Sequence, residues 1–518
     1  MTSTPGDEPL RIELDVDPDD AGEPGDPGDA VHPGAPPASG TGDGPGPWRA
    51  RLSRRRVAMA GGGLVLAAAA ALGSEALRDQ AQEAQLRTAP GGVLSLAEPL
   101  AETWSRGLAF GEAVRLPEAL AVVDDGDLLA LDPVTGEPVW SVPVGDGSWC
   151  GPSGYQQGAV VEVLVCLTPE PGAEDGWYDG SAGSGVLSAV TSGGELLGTS
   201  AVAAGERVAV GPEGTVVRLA RVGPSPEGPG CAEDGCVEGG LVVRGRDLQI
   251  RVEDVGTGEP RWTEVVPFDP GETEVSSCLE LTETGMVPDP GAVTAWAEGP
   301  ALTVVGCGVR VGFTAAGERL DTDQWRGVEP LGDGYLVRGV LRDVVVGRDG
   351  SRRELPGRLM VPLATDGTVP DVLFVDLGSE VRAEDDAGRE LWTAQMISDR
   401  VLVLAGGVAL MDDGAGNVTA LDVGTGEDLW ASTRLEAVAG LDLTAWAPTI
   451  EQAFTDGRRA LVTMRGVPSE SGVLVFSVVV DLRTGEVVWK DSRVGWETLV
   501  AVDGHLVVMS EGGIAGLG

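Results

Sequence analysis

One short phrase recurs along this chain and limits what it can fold into more than any other feature. It reads Ala130-Leu-Asp-Pro-Val-Thr-Gly-Glu-Pro-Val-Trp140 and returns as Ala420-Leu-Asp-Val-Gly-Thr-Gly-Glu-Asp-Leu-Trp430. Val480-Asp-Leu-Arg-Thr-Gly-Glu-Val-Val-Trp489 and Glu253-Asp-Val-Gly-Thr-Gly-Glu-Pro-Arg-Trp262 repeat it. Weaker copies begin at Thr191, Thr314, Arg348 and Asp385, the last ending on Trp392. Each copy reads as two strands joined by a tight turn. Ala130 and Ala420 end a strand with a side chain small enough for close sheet packing, and Asp132, Asp254, Asp422 and Asp481 open the turn. Gly136, Gly258, Gly426 and Gly485 supply the positive φ that the turn needs. The next strand closes on Trp140, Trp262, Trp430 or Trp489, a flat ring large enough to cover a neighbouring unit.

A single unit of this kind cannot bury both of its faces, so several must stack. The turn glycines fall at 136, 194, 258, 317, 350, 388, 426 and 485, a mean interval of about 50 residues, which suits one four-stranded blade of an all-β propeller. The stretch at 317–350 is short, which points to a degenerate copy. Leu100-Ala-Glu-Thr-Trp104 looks like the last strand missing after Asp503-Gly-His-Leu-Val-Val-Met-Ser-Glu-Gly-Gly-Ile-Ala-Gly-Leu-Gly518, so the two segments are expected to complete one blade and close the ring. Counting that split unit and merging the two weakest copies gives eight blades, with seven as the lower count.

The phrase resembles the tryptophan-docking repeat (Ala-x-Asp-x-x-x-Gly-x-x-x-Trp) of pyrroloquinoline-quinone-like β-propellers. The resemblance is sharp at four copies and loose over residues 100–518. It implies an eight-bladed quinoprotein-like propeller over residues 94–518. It also raises a redox enzyme, because quinoprotein dehydrogenases share the repeat. Those enzymes carry adjacent cysteines beside the quinone, and no two cysteines are adjacent here. They hold Ca²⁺ through an Asn; the one Asn of this chain, Asn417, sits in a Gly-rich turn where a turn role explains it.

Residues 1–47 hold 11 acidic residues and one basic residue among Pro and Gly, and read as a disordered acidic tail. Within it, Arg11-Ile-Glu-Leu-Asp-Val-Asp17 is open to a second reading as a short linear motif for a cytoplasmic partner. Residues 48–56 contain five arginines and no acid; Val57 to Gly73 then runs without charge, long enough for a short transmembrane helix. The arginines set the N-terminus in the cytoplasm and the propeller outside. A signal anchor is the preferred reading; a cleaved segment is the alternative, since Ser53-Arg54-Arg55-Arg56 loosely resembles a twin-arginine export motif. Residues 74–93 read as a polar helical stalk or linker, broken at Thr88-Ala-Pro-Gly-Gly92.

All six cysteines lie after that segment, at 150, 166, 231, 236, 278 and 307. In an oxidising compartment they read as disulfides, and sequence proximity suggests Cys150–Cys166, Cys231–Cys236 and Cys278–Cys307. A zinc site at Cys231 and Cys236 is the alternative, but no histidine is near. A net charge of −45 excludes nucleic acid as a partner. The chain has two histidines, and His505 follows Asp503-Gly504 in a turn-like position, which weakens nucleophile–histidine chemistry. No catalytic residue, metal site or cofactor is expected. The long insertions Gly151–Ser184, with Trp177 and Tyr178, Gly223–Gly240 and Pro267–Pro290 read as recognition loops or as stabilised surface. The function expected is that of a non-catalytic binding or scaffold module in the cell envelope, meeting an envelope protein or polymer and the lipid bilayer through residues 57–73. The alternatives are a degenerate quinoprotein oxidoreductase and a sensor with the tail as its output.

Overall fold

The computed structural model describes residues 80–518 except 109–112, 152–159, 171–183, 204–205, 225–244, 270–277, 283–284, 289–290, 321–324, 333, 370–371, 433–434, 436–448, 467–473, 495–496 and 511. The acidic tail, the basic cluster and the apolar segment 57–73 therefore lie outside the described residues. Nine antiparallel blades follow one another. They span residues 114–143, 149–202, 207–266, 293–314, 325–354, 358–394, 400–432 and 449–494, and the ninth joins 497–517 to Glu102–Arg106. We number them 1 to 9 and letter the strands of each blade a to d, with a innermost.

The count corrects the expectation of eight. The short interval between Gly317 and Gly350 is not one degenerate copy but the whole of blade 5. Its outer strands, Val344–Val346 and Arg352–Glu354, are only three residues long. Blade 4 has three strands, followed by a single bridge from Phe313 to Arg319 where a fourth would begin. Shortening of two neighbouring blades, not loss of one, compresses the spacing. The ring closes as the repeat implies: Glu102–Arg106 pairs with Gly513–Leu517, and Ala101 and Gly518 exchange two hydrogen bonds of 2.9 Å.

The core is a ring of inter-blade seams. Among the described residues nine apolar clusters form, and each draws on two successive blades. Leu120 and Leu129 of blade 1 pack with Val502 and Val507 of blade 9, so the last seam returns to the first. This follows from alternation along each strand: both faces of a blade are apolar, and each finds a neighbour.

At the seams the repeat shows its purpose. Asp132 Oδ1 accepts the backbone N–H of Val134 at 2.8 Å and of Thr135 at 2.9 Å, which folds the turn back so that Gly136 N donates to Asp132 O at 2.8 Å. Asp254, Asp422 and Asp481 build the same turn. The glycine that follows takes a positive φ, 70° at Gly136 and 71° at Gly485, and bares a flat patch of backbone. The tryptophan of the preceding blade lies on that patch. Trp140 covers Gly194, where an added methyl would come within 2.8 Å of the ring; Trp262, Trp392 and Trp430 cover Gly317, Gly426 and Gly485, and Trp104 covers Gly136. Each indole N–H then reaches a carbonyl of the covered turn, such as Trp392 to Val423 at 2.7 Å and Trp430 to Leu482 at 2.8 Å. Gly258 receives no tryptophan, because blade 2 carries Gly198 at the docking position. The two backbones meet directly there, and a methyl on Gly198 would fall 2.5 Å from the Gly256 Cα. At the seam of blades 5 and 6 the Arg353 guanidinium covers Gly388 and pairs with Glu384 at 2.9 Å.

Replacing Trp392, 8% exposed, by alanine is expected to cost about 3–5 kcal/mol in urea unfolding, as large-to-small changes at packed sites do. A loss below about 1 kcal/mol would remove the tryptophans from their docking role. Gly198→Ala should destabilise by about 1–3 kcal/mol through overpacking, while Gly258→Ala, with open space around it, should report only the strain of its positive φ.

Candidate functional site

In the four-stranded blades the a–b and c–d turns share one end of the ring. That end carries an element outside the repeat. Residues 80–88, Gln-Ala-Gln-Glu-Ala-Gln-Leu-Arg-Thr, are strong helix formers up to Arg87 and form a helix that stops before Pro90. Leu86, Ala89, Val93 and Leu96 are buried against the blades. Arg87 Nη1 pairs with Asp503 at 2.5 Å, in the a–b turn of blade 9. The chain then passes between blades 8 and 9. Leu94 N donates to Gly504 O at 2.8 Å and Leu96 N to Asp456 Oδ2 at 3.1 Å. Leu96 O accepts the Trp489 indole N–H at 3.0 Å, so this segment stands in for the c–d turn on which that tryptophan would otherwise dock.

Beneath Pro90 and Gly91 lies a solvent-open cavity of about 220 Å³ on the propeller axis, walled by Arg115, Leu363, the strand run 451–454 and residues 499–501. Gly91 is required at its rim: its φ is +62°, and a methyl would come within 2.6 Å of Ala364. Glu451 pairs with Arg465 at 2.7 Å. The Gln452 carboxamide clamps Leu499 from both sides, accepting its N–H at 3.0 Å and donating to its C=O at 2.8 Å. Arg115 is 4% exposed and donates to Arg87 O at 3.4 Å. Burial pulls its pKa below the usual arginine value, opposed by the Asp503 carboxylate.

His505 is half-buried beside this cluster. Burial first, then the Arg87 charge, lowers its pKa below the ordinary value, against the opposite pull of Asp503 and Asp132. Asn417 donates to Asp413 at 2.5 Å within its own turn.

The opposite end carries the b–c turns and the links between blades. Midway along blade 2, and not at this end, Cys150–Cys166 staples strands a and b, with an S–S distance of 2.01 Å. Cys278–Cys307, at 2.15 Å, ties the link before blade 4 to that blade's b–c turn, next to the hairpin Leu279–Thr282 and Gly285–Pro288. Arg221 supports the turn by donating to Cys307 O at 2.6 Å and Ala292 O at 3.3 Å. Cys231, Cys236, Trp177 and Tyr178 lie outside the described residues. Among the described residues no group of three or more His, Cys, Asp or Glu side chains could hold a metal ion.

The residues singled out in the repeat thus come together pairwise at blade seams rather than in one site. The axial cavity depends on residues that pattern reading passes over. Arg115 and Gln452 carry no motif. The adjacent Gly91-Gly92 was the available signal, since two glycines in succession mark close backbone approach.

A family model of PQQ-type repeats, described as outer membrane protein assembly factor BamB, matches residues 347–517, from the end of blade 5 to strand c of blade 9. That third of the chain resembles PQQ-type repeats, and the described residues form a β-propeller throughout. Similar solved structures include BamB from Moraxella catarrhalis, at 13% identity and TM-score 0.35, over 81% of this chain and 99% of that one. The computationally designed Ika8 protein follows at 11% and 0.34, over 80% and 98%. The WD40 domain of SCAP from fission yeast stands at 8% and 0.35, over 82% and 98%. No functional statement follows from likenesses at this level. A search of curated proteins returns no match. No helix among the described residues is long and apolar enough to cross a membrane.

The lowered pKa of His505 has a defined sign. Below the ordinary histidine pKa of about 6.5 the unfolded chain takes up a proton that the folded chain resists, so stability falls as pH drops through that range. His505→Gln should flatten the melting temperature between about pH 7 and pH 5; an unchanged slope would remove His505 as its source.

Proposed function

We propose that this propeller is a non-catalytic protein-binding module of the cell envelope, held at the membrane by residues 57–73 with the blades outside. The observation that carries this reading is the wall of the axial cavity. It is made of strand edges and small apolar side chains, Ala453 and Ala501 among them, and its Glu451 and Gln452 are already engaged within the protein. Such a lining suits a polypeptide better than bond-breaking chemistry. The family model's description as an assembly factor supports the same class of role. Two disulfides in the described residues fit an oxidising compartment, and five arginines ahead of an uncharged stretch fit an N-in anchor.

The test has two arms. The full chain in detergent is titrated with pyrroloquinoline quinone and Ca²⁺, following tryptophan fluorescence and dye reduction. The expected result is neither saturation nor turnover; saturable binding with dye reduction would make the protein a quinoprotein oxidoreductase. In the second arm, protease added to intact cells should digest the blades and spare an epitope placed in residues 1–47. Protected blades would overturn the placement.

A further inference from the structure

Two inner blade edges are already extended by strands that belong to this chain. On blade 7, Ala364–Thr365 pairs in parallel with the innermost strand Arg400–Ala405, Ala364 opposite Val403 and Thr365 opposite Leu404. On blade 8, residues 91–93 run parallel to the end of Thr449–Thr455. Thr455 N donates to Gly91 O at 2.9 Å, and Val93 N donates to Thr455 O at 2.8 Å. Thr365 N donates to Pro90 O at 2.9 Å and links the two additions. The next edge around the axis, Glu497–Val502 of blade 9, carries no such strand among the described residues.

That edge is nonetheless shaped for one. Asp503 and Gly504 form a two-residue hairpin turn with φ of 46° and 76°, and Val502 pairs with His505 across it. Alternation then points the backbone groups of Leu499 and Ala501 at the axis. At Leu499 they are met by the Gln452 carboxamide, which imitates a partner strand. At Ala501 the N–H and C=O face the cavity with no partner among the described residues. A strand parallel to Glu497–Val502 runs toward the a–b turns. Arg115 stands at that end of the cavity, immediately before the a–b turn of blade 1, where Leu116 N donates to Ala119 O at 2.9 Å.

We propose that the axial cavity receives the C-terminal end of an extended polypeptide. It adds as a parallel strand to the inner edge of blade 9 at Ala501, with its terminal carboxylate at Arg115. Main-chain hydrogen bonds supply affinity in such an addition, and the guanidinium selects a free C-terminus over an internal segment. The proposal rests on the reading of this propeller as a protein-binding module and names its ligand.

The probe is a fluorescently labelled peptide, Val-Pro-Leu-Ala-Thr-Asp-Gly, which copies the chain's own inner strand at residues 361–367 and ends in a free carboxylate. Its binding to the full chain in detergent is read by anisotropy. Saturable binding is expected, weakened roughly tenfold or more when the carboxylate is amidated or when the central alanine is N-methylated. Arg115→Gln should erase the difference between acid and amide. The N-methylated peptide tests the backbone bonds without altering the protein, so the result does not depend on any variant folding. No binding up to about 1 mM, or equal binding of the N-methylated peptide, overturns the proposal. Either result leaves the non-catalytic envelope reading to its own test, because the quinone titration and the protease digestion are read without this peptide.

Discussion

A tryptophan ring resting on a glycine of the next blade is the contact on which the rest of this structure depends. A four-stranded blade with two apolar faces is unstable alone, and the indole joins it to its neighbour at the outer edge, where strand packing is weakest. The glycine must have a positive φ to turn the chain and must lack a side chain to admit the ring. The aspartate four residues earlier holds that turn, and the indole N–H satisfies one of its carbonyls. One local device thus serves turn geometry, packing and hydrogen bonding together. Its repetition makes a ring whose stability is shared among seams.

Where the device is missing, the seam is made in another way. Gly198 brings two backbones into contact, and Arg353 lays a guanidinium where a ring would lie and secures it through Glu384. Between blades 8 and 9 the covered turn itself is absent, and residues 94–96 replace it beneath Trp489, which is 7% exposed. The segment that performs this repair also roofs the axial cavity. Ring closure and the form of the candidate binding site are therefore coupled through residues 87–96, with the Arg87–Asp503 pair as one fastening.

Two disulfides brace blades 2 and 4. Cys150–Cys166 joins directly opposed residues of adjacent strands, and Cys278–Cys307 binds a long inter-blade link to a turn. Both act on blades interrupted by insertions, where a longer loop raises the entropy of the unfolded chain that a cross-link removes. The link tied by Cys278–Cys307 and the roofed end are thus stabilised by different chemistry, covalent at one and by burial and hydrogen bonding at the other.

The sequence by itself determined the class of fold and the closure of the ring through Trp104. It could do so because those features are local: a turn needs its Asp and Gly at fixed spacing, and a half-built blade needs a partner strand. Blade number was beyond it by one, since blades 4 and 5 shortened their outer strands and so mimicked a single unit. Only the tertiary structure decided the axial cavity. Ala364–Thr365 is a strand of two residues, Gln452 is one unmarked amide, and Arg115 stands far along the chain from both. None has a periodicity to detect, because each takes its role from a neighbour brought close by closing the ring.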